Sequence, residues 1–206
     1  MKIYKLVVGQ LSTNCYLLSN KKGEGIIIDP GDDAEYIKQK LIDYEIIPFY
    51  IIATHGHFDH LLAALELKLT YKIPLLMNEK DKFLLARMQS SANFFTGVIS
   101  DPPPIIDIDL GKIKDITLIK KNFEIIKTPG HTPGSISIYC SDENTCFVGD
   151  LVFEGGMVGR SDHNYSDNKK LMESVNKILS LPGDTSIYSA HGKVTTISKL
   201  RGYFEN

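Results

Sequence analysis

The chain has 206 residues, of which 43% are hydrophobic and 23% charged, and its formal net charge is −2. These proportions belong to an ordinary globular chain and exclude disordered, collagenous and coiled-coil architectures. A slightly acidic balance also argues against a surface built on a polyanion, because nucleic-acid affinity comes largely from Lys and Arg neutralising phosphates.

In chain order, residues 3–8, 15–19 and 25–29 read as short strands separated by Gly, Asn and Lys. Asp29-Pro30-Gly31 stops the third. Asp32 or Asp33 is placed to cap a helix through Asp43, with Ile37, Leu41 and Ile42 on its apolar side. Residues 48–53 are almost wholly apolar, as expected of a strand buried on both faces. A helix is predicted from His60 to about Thr70, with Leu61, Ala64, Leu65 and Leu69 turned inward. Residues 73–77 form the next predicted strand, and Asn78 caps a helix to about Ser90. Residues 91–104, with three consecutive prolines at their end, are expected to be a functional or mobile loop without regular structure.

Beyond that loop the pattern turns β-rich, with predicted strands at 105–109, 116–119, 123–127, 135–140 and 145–148 and a tight turn at Asp142-Glu143-Asn144. A helix over 168–179, a strand over 186–188 and a short helix capped by Thr195 or Thr196 complete the reading. The order β-rich, α, β-rich, α suggests two similar halves packed face to face in one domain spanning 1–206. The longest apolar run, residues 46–53, is far below the roughly 20 residues needed to span a bilayer. The N-terminus shows no apolar leader. Cys15, Cys140 and Cys146 are an odd, sparse set that fits a reducing compartment. A cytoplasmic protein with a small-molecule substrate, and with neither nucleic-acid nor membrane partner, is expected; the oligomeric state is left open.

Three of the six histidines fall in His55-Gly56-His57-Phe58-Asp59-His60, just past a buried strand. Gly56 is expected to allow a tight turn between two ligands. His55 and His57 can face one ion, and Asp59 with His60 can point to the other side of the same loop. Four N/O donors suit zinc, manganese or iron. One four-coordinate ion could not use all four and keep an open position, which hints at two ions. His131 in Pro129-Gly-His-Thr-Pro-Gly134, Asp150 after Gly149, and His191 before Gly192 each follow an apolar strand, the position where loops of layered proteins carry function. Asp29 is read either as a group that holds a ligand histidine by its free ring nitrogen or as a simple helix cap. Arg160 fits a substrate carboxylate or a structural ion pair. His163 fits a substrate contact or an exposed loop. Phe94 and Phe95, with Met88, fit a substrate mouth or the packing of the 91–104 loop.

Thr54-His-Gly-His-Phe-Asp-His60, the Pro129–Gly134 segment, Gly149-Asp150 and Ala190-His-Gly192 together resemble the metallo-β-lactamase fold hydrolases over nearly the whole chain. The resemblance implies a four-layer αβ/βα sandwich with the site at the edge of two packed sheets. It implies one ion on His55, His57 and His131, a second on Asp59, His60 and His191, and Asp150 bridging both. The ions would be two divalent metals, zinc first, with iron or manganese as alternatives. Asp150 stands where the best-known secreted β-lactamases use Cys, and His57 where oxygen-reducing di-iron relatives use Glu. Residues 153–162 are similar to the corresponding segment of short glyoxalase II-like thioester hydrolases. The reading that follows is a metal-dependent hydrolase whose metal-shared hydroxide attacks a thioester carbonyl, with Asp59 orienting the water. No glutathione-binding C-terminal helical domain is expected, since fifteen residues follow His191. A mono-iron persulfide dioxygenase, and a lactone or phosphoester hydrolase on the same two metals, are the alternatives.

Overall fold

The computed structural model describes residues 1–204. Its first half carries a six-stranded sheet in the order β1 (Lys2–Val8), β2 (Thr13–Ser19), β3 (Glu24–Ile28), β4 (Ile47–Ile52), β5 (Leu75–Met77) and β6 (Ile108–Asp109). The first three strands pair antiparallel, and β3 to β6 run parallel. Parallel pairing needs crossovers, and α1 (Ala34–Asp43) and α2 (Ala64–Tyr71) supply two of them. Two further helices, α3 (Lys82–Leu85) and α4 (Met88–Thr96), lie between β5 and β6. The second half repeats the plan. Strands β7 (Asp115–Leu118), β8 (Lys121–Lys127), β9 (Ile136–Cys140) and β10 (Thr145–Gly149) form an antiparallel meander. After α5 (Asn168–Leu179), β11 (Ser186–Ser189) joins β10 in parallel, and β12 (Thr195–Thr196) with α6 (Ile197–Phe204) closes the sheet.

Side-chain alternation along the strands builds the layers. Leu18, Ile26, Ile28 and Ile52 of the first sheet meet Phe123, Ile125, Ile138 and Phe147 of the second in a buried layer between the sheets. The opposite face of the first sheet, with Leu17, Ile27 and Ile51, packs on Ile37 and Leu41 of α1 and on Ala64 and Leu67 of α2. Cys146, Val148 and Ile187 of the second sheet pack on Val175 and Ile178 of α5 and on Leu200 of α6. The result is the expected four-layer αβ/βα sandwich. Cys140 and Cys146 belong to different layers, and β9–β10 register pairs Cys146 with Tyr139 rather than with Cys140. All three cysteines are free and buried.

Five local expectations are corrected. Residues 91–96 are helical, not irregular, because Met88 and Ala92 of α4 bury against the first core. The helix predicted from His60 begins at Ala64, since residues 58–60 are held in a tighter 3₁₀ turn in which His60 N donates to His57 O at 3.2 Å. Ile42 of α1 and Leu69 of α2 face solvent. Asp33 does not cap α1 with its side chain: it adopts a left-handed φ of 56°, and its Oδ2 accepts from Gly9 N at 2.8 Å. Asn78 accepts from Lys80 N as a cap, but of a 3₁₀ turn over Glu79–Asp81, and the helix expected to run to Ser90 is divided into α3 and α4. As expected, Thr196 Oγ1 accepts from Lys199 N in the first turn of α6. Asp167 caps α5 through Lys170 N. No helix among the described residues is long and apolar enough to cross a membrane.

Candidate metal centre

The parallel directions of β3, β4, β8, β10 and β11 bring five strand ends to one edge of the sandwich. Asp29 follows β3, the 54–60 loop follows β4, the 128–134 turn follows β8, Asp150 follows β10, and His191 follows β11. The two halves touch closely there. Ile136 N donates to Thr54 O at 2.9 Å, and Tyr16 Oη donates to Ser189 O at 2.5 Å. Gly149, at φ 56°, lies so near Thr54 that a Cβ would stand 2.4 Å from Thr54 Oγ1, so any side chain there would both strain the backbone and push the halves apart.

The seven residues expected to hold metal converge in two groups: His55, His57, His131 and Asp150, and Asp59, His60 and His191. In the first, His57 Nδ1 lies 3.0 Å from His55 Nε2 and 2.9 Å from His131 Nε2. The partners on the far side of each ring assign the tautomers. His131 Nδ1 donates to Arg160 O at 2.7 Å. Thr54 Oγ1 donates to Asp29 Oδ2 at 2.7 Å and so accepts from His55 Nδ1 at 3.2 Å. His57 Nε2 lies 2.9 Å from Tyr165 Oη, a hydroxyl able to accept from it. In the tautomer with the proton on Nε2, three nitrogen lone pairs face one another, an arrangement that a shared cation satisfies. Burial first, and then the neighbouring His131, push His57 down to about 3. Burial and the facing His60 hold His55 well below the usual imidazole range. Both rings stay unprotonated and able to coordinate.

The second group is carboxylate-rich. His60 Nε2 and His191 Nε2 lie 3.7 and 3.6 Å from Asp59 Oδ2, and at the same two distances from Asp150 Oδ1. The other oxygen, Asp150 Oδ2, lies 3.5 Å from His131 Nε2. One carboxylate thus faces both groups. Burial alone would lower His60, but Asp59 and Asp29 outweigh it and raise the ring to about 10. Burial would likewise raise Asp59, yet His60 and His191 bring it far below the ordinary carboxylate range. Asp150 Oδ1 and His60 Nε2 are buried and find no hydrogen-bond partner among the described residues. Buried polar atoms without partners are costly, and two such atoms aimed at one point fit a cation.

Asp29 makes no helix cap. It sits at φ 50° with 1% exposure, accepts Thr54 N at 2.8 Å, and places Oδ2 3.1 Å from His60 Nδ1. A non-glycine residue in the left-handed region costs energy and persists where its surroundings fix it, commonly at functional sites. The ring N–H of His60 is not aligned on that oxygen, so the contact is an ion pair rather than a good hydrogen bond.

Two positioning groups carried no sequence signal. Asp81, fully buried at the start of α3, accepts Gly56 N at 2.9 Å, Gly134 N at 2.7 Å and Thr132 Oγ1 at 2.6 Å. One carboxylate therefore registers the loop bearing His55 and His57 against the turn bearing His131. Burial raises its pKa. Gly56 has no left-handed φ; it is glycine because a Cβ would meet Asp81 Cβ at 2.8 Å. Tyr165 is the other, holding His57 from outside while packing edge-on to Phe83.

Two clefts open from the ligands. One, about 270 Å³, is walled by Leu11, Phe58, Leu84, Phe95, His163 and Tyr165. The other, about 520 Å³, is walled by Phe153, Glu154, Met157, Val158 and Gly192; Arg160 lies where the two meet. Phe95 stacks on Phe58 with ring centroids 5.8 Å apart. Phe94 packs edge-on to Phe95, is 81% exposed and lines neither cleft. His163 stacks on Tyr165. Arg160 forks onto Asp162 at 3.0 and 2.8 Å.

The family model of the metallo-beta-lactamase superfamily matches residues 8–191. The hydroxyacylglutathione hydrolase GloC of Haemophilus influenzae is 35% identical over 97% of this chain and 94% of its own. Among solved structures, that of the B3 metallo-beta-lactamase BLEG-1 aligns at a TM-score of 0.90, with 34% identity over 96% of this chain and 95% of that one. TTHA1623 in a di-iron-bound form aligns at 0.87, with 32% identity over 95% and 96%.

Proposed function

Since the chain belongs to the metallo-β-lactamase superfamily, a group of metallo-hydrolases, we propose that it is a two-metal thioester hydrolase of the glyoxalase II-like kind. The observation that carries the two-metal reading is Asp150, whose Oδ2 faces one histidine group and whose unpartnered Oδ1 faces the other. His55, His57 and His131 would hold one cation, Asp59, His60 and His191 the second, and Asp150 both. A completed second group favours this over a single-iron persulfide dioxygenase. Bound cations of this kind bring the pKa of water from 15.7 toward about 7 and polarise a carbonyl. Zinc is the first candidate, and the di-iron relative makes iron the second.

The chain's own residues do the rest. Asp59, held ionised by His60 and His191 and receiving Thr13 Oγ1 at 3.4 Å, would accept a hydrogen bond from the attacking water and fix its direction. Asp29 and Tyr165 keep His60 and His57 in the orientation coordination needs. The cleft walls exclude bulk water from the carbonyl, and His163 and Phe95 contact the substrate. The leaving thiolate needs no general acid, because a thiol pKa is about 8.5. Cys15 and Cys146 are no nucleophiles, since burial pushes both thiols up and neither lines a cleft.

A second reading, β-lactam hydrolysis, is supported by the likeness to BLEG-1. Both are tested by measuring metal content together with turnover of a thioester, a β-lactam, a lactone and a phosphodiester. Two equivalents of metal and preferential thioester cleavage are expected. Preferential β-lactam turnover would replace the first reading with the second, and a metal-loaded protein that cleaves none of the four would overturn both.

A further inference from the structure

The two clefts differ in shape but share linings that are mostly apolar beyond the ligands, and this bears on what the substrate carries at its ends. In the smaller cleft the walls beyond the ligands are Leu11, Phe58, Leu84 and Phe95, with the stacked pair His163 and Tyr165 closing one side. Phe58 and Leu84 are buried, while Phe95 is 56% exposed and Leu11 43%. Exposed large apolar side chains that converge on a reactive centre mark a binding surface more often than chance. In the larger cleft Phe153, Met157 and Val158 are joined by one carboxylate, Glu154. Among the described residues Arg160 is the one cation in either lining, and its exposed guanidinium is forked onto Asp162. At the rim, the Lys5 ammonium donates to Gly192 O at 3.0 Å.

An anionic arm in the smaller cleft would lie against apolar walls with its one lining guanidinium already shared with Asp162, and in the larger it would also face the carboxylate of Glu154. An apolar arm gains area against four hydrophobic side chains. We propose that the substrate is a thioester uncharged on both sides of the scissile bond, with an aliphatic or aryl arm seated between Leu11, Phe58, Leu84 and Phe95, and that Phe95 sets this preference. The inference rests on the thioester reading above and narrows it, because a glutathione thioester presents carboxylates that these walls do not answer.

The test compares kcat/KM for a phenylacetyl or hexanoyl thioester of N-acetylcysteamine with that for a hydroxyacylglutathione, on the metal-loaded protein and on Phe95→Ala. The neutral apolar thioester should be preferred by roughly tenfold or more, the scale on which apolar pockets discriminate. In Phe95→Ala the ratio should fall toward one, through KM rather than kcat, with Leu11→Ala shifting it in the same direction. Circular dichroism and metal content of the variants separate this from misfolding. A preference for hydroxyacylglutathione, or a Phe95→Ala variant that slows both substrates alike, overturns the inference and leaves the thioester reading standing. Hydrolysis of neither thioester by the loaded protein overturns both.

Discussion

The two ligand groups are built on opposite electrostatic plans. In the first, the outer partners of His55, His57 and His131 are a threonine hydroxyl, a tyrosine hydroxyl and a backbone carbonyl, all neutral. In the second, His60 and His191 face Asp59 and Asp150, and Asp29 stands behind His60. The neutral plan keeps His55 and His57 unprotonated, whereas the carboxylate plan draws protons onto His60 and His191. A cation entering the first group finds bare lone pairs, while one entering the second displaces protons that the carboxylates hold.

Asp150 is where the two plans meet, and its removal gives the largest expected effect. Asp150→Ala should cost at least one of two bound metals and lower kcat by about 10²-fold or more, the scale seen when one electrostatic stabiliser is deleted. Metal analysis alongside single-turnover hydrolysis reads both, and full occupancy with unchanged turnover would remove Asp150 from the centre. Next come the two outer carboxylates, which should act mainly on opposite groups. Asp81→Asn replaces an acceptor of three hydrogen bonds by a group with one acceptor oxygen. The first group should lose about 10–100-fold in metal affinity by chelator competition, the usual range for outer-partner changes, while the second is spared. Asp29→Asn should act mainly on the second group through His60, with a smaller effect on the first through Thr54 and His55. Equal effects of both variants on both metals would dissolve the distinction. Tyr165→Phe is expected to be milder, about tenfold, and confined to the first metal.

The smallest effect is on the metal-free protein's pH dependence. His57, at about 3 when folded, binds its proton more weakly than in the unfolded chain, so its contribution penalises folding as pH falls from about 6.5 toward 3. His60, at about 10 when folded, favours folding fully below about 6.5 and loses that contribution as pH rises toward 10. Denaturation midpoints should therefore fall on both sides of neutrality, with the acid limb softened in His57→Gln and the alkaline limb in His60→Gln. A flat profile would contradict the two plans.

The candidate site was legible because its residue types are rare and their contexts repeat: His-x-His-x-Asp-His after one apolar strand, then single donors after three others, and the structure brings them together. The layers were legible from the runs 15–19 and 25–29, which are buried throughout; the run 48–53, expected to be buried on both faces, leaves Phe49 exposed and Tyr50 partly so, and is continuously buried only from Ile51. Residues 91–96 were not, because Ser-Ser-Ala-Asn has weak helix preference and the helix is held by tertiary burial of Met88 and Ala92. Asp81 and Tyr165 were not, because their meaning lies in partners 25, 53 and 108 residues away. Asp29 was half legible: the halt at Asp29-Pro30-Gly31 was plain, but its left-handed backbone and its contact with His60 belong to the folded state.

The sheet boundary between β6 and β7 divides each ligand group. His55 and His57 come from one side and His131 and Asp150 from the other, while Asp59 and His60 are separated from His191 in the same way. Cleaving the chain between residues 110 and 114 would therefore leave two pieces, neither with more than two donors for either ion. Tight metal uptake on mixing would then be a direct signal of complementation between them.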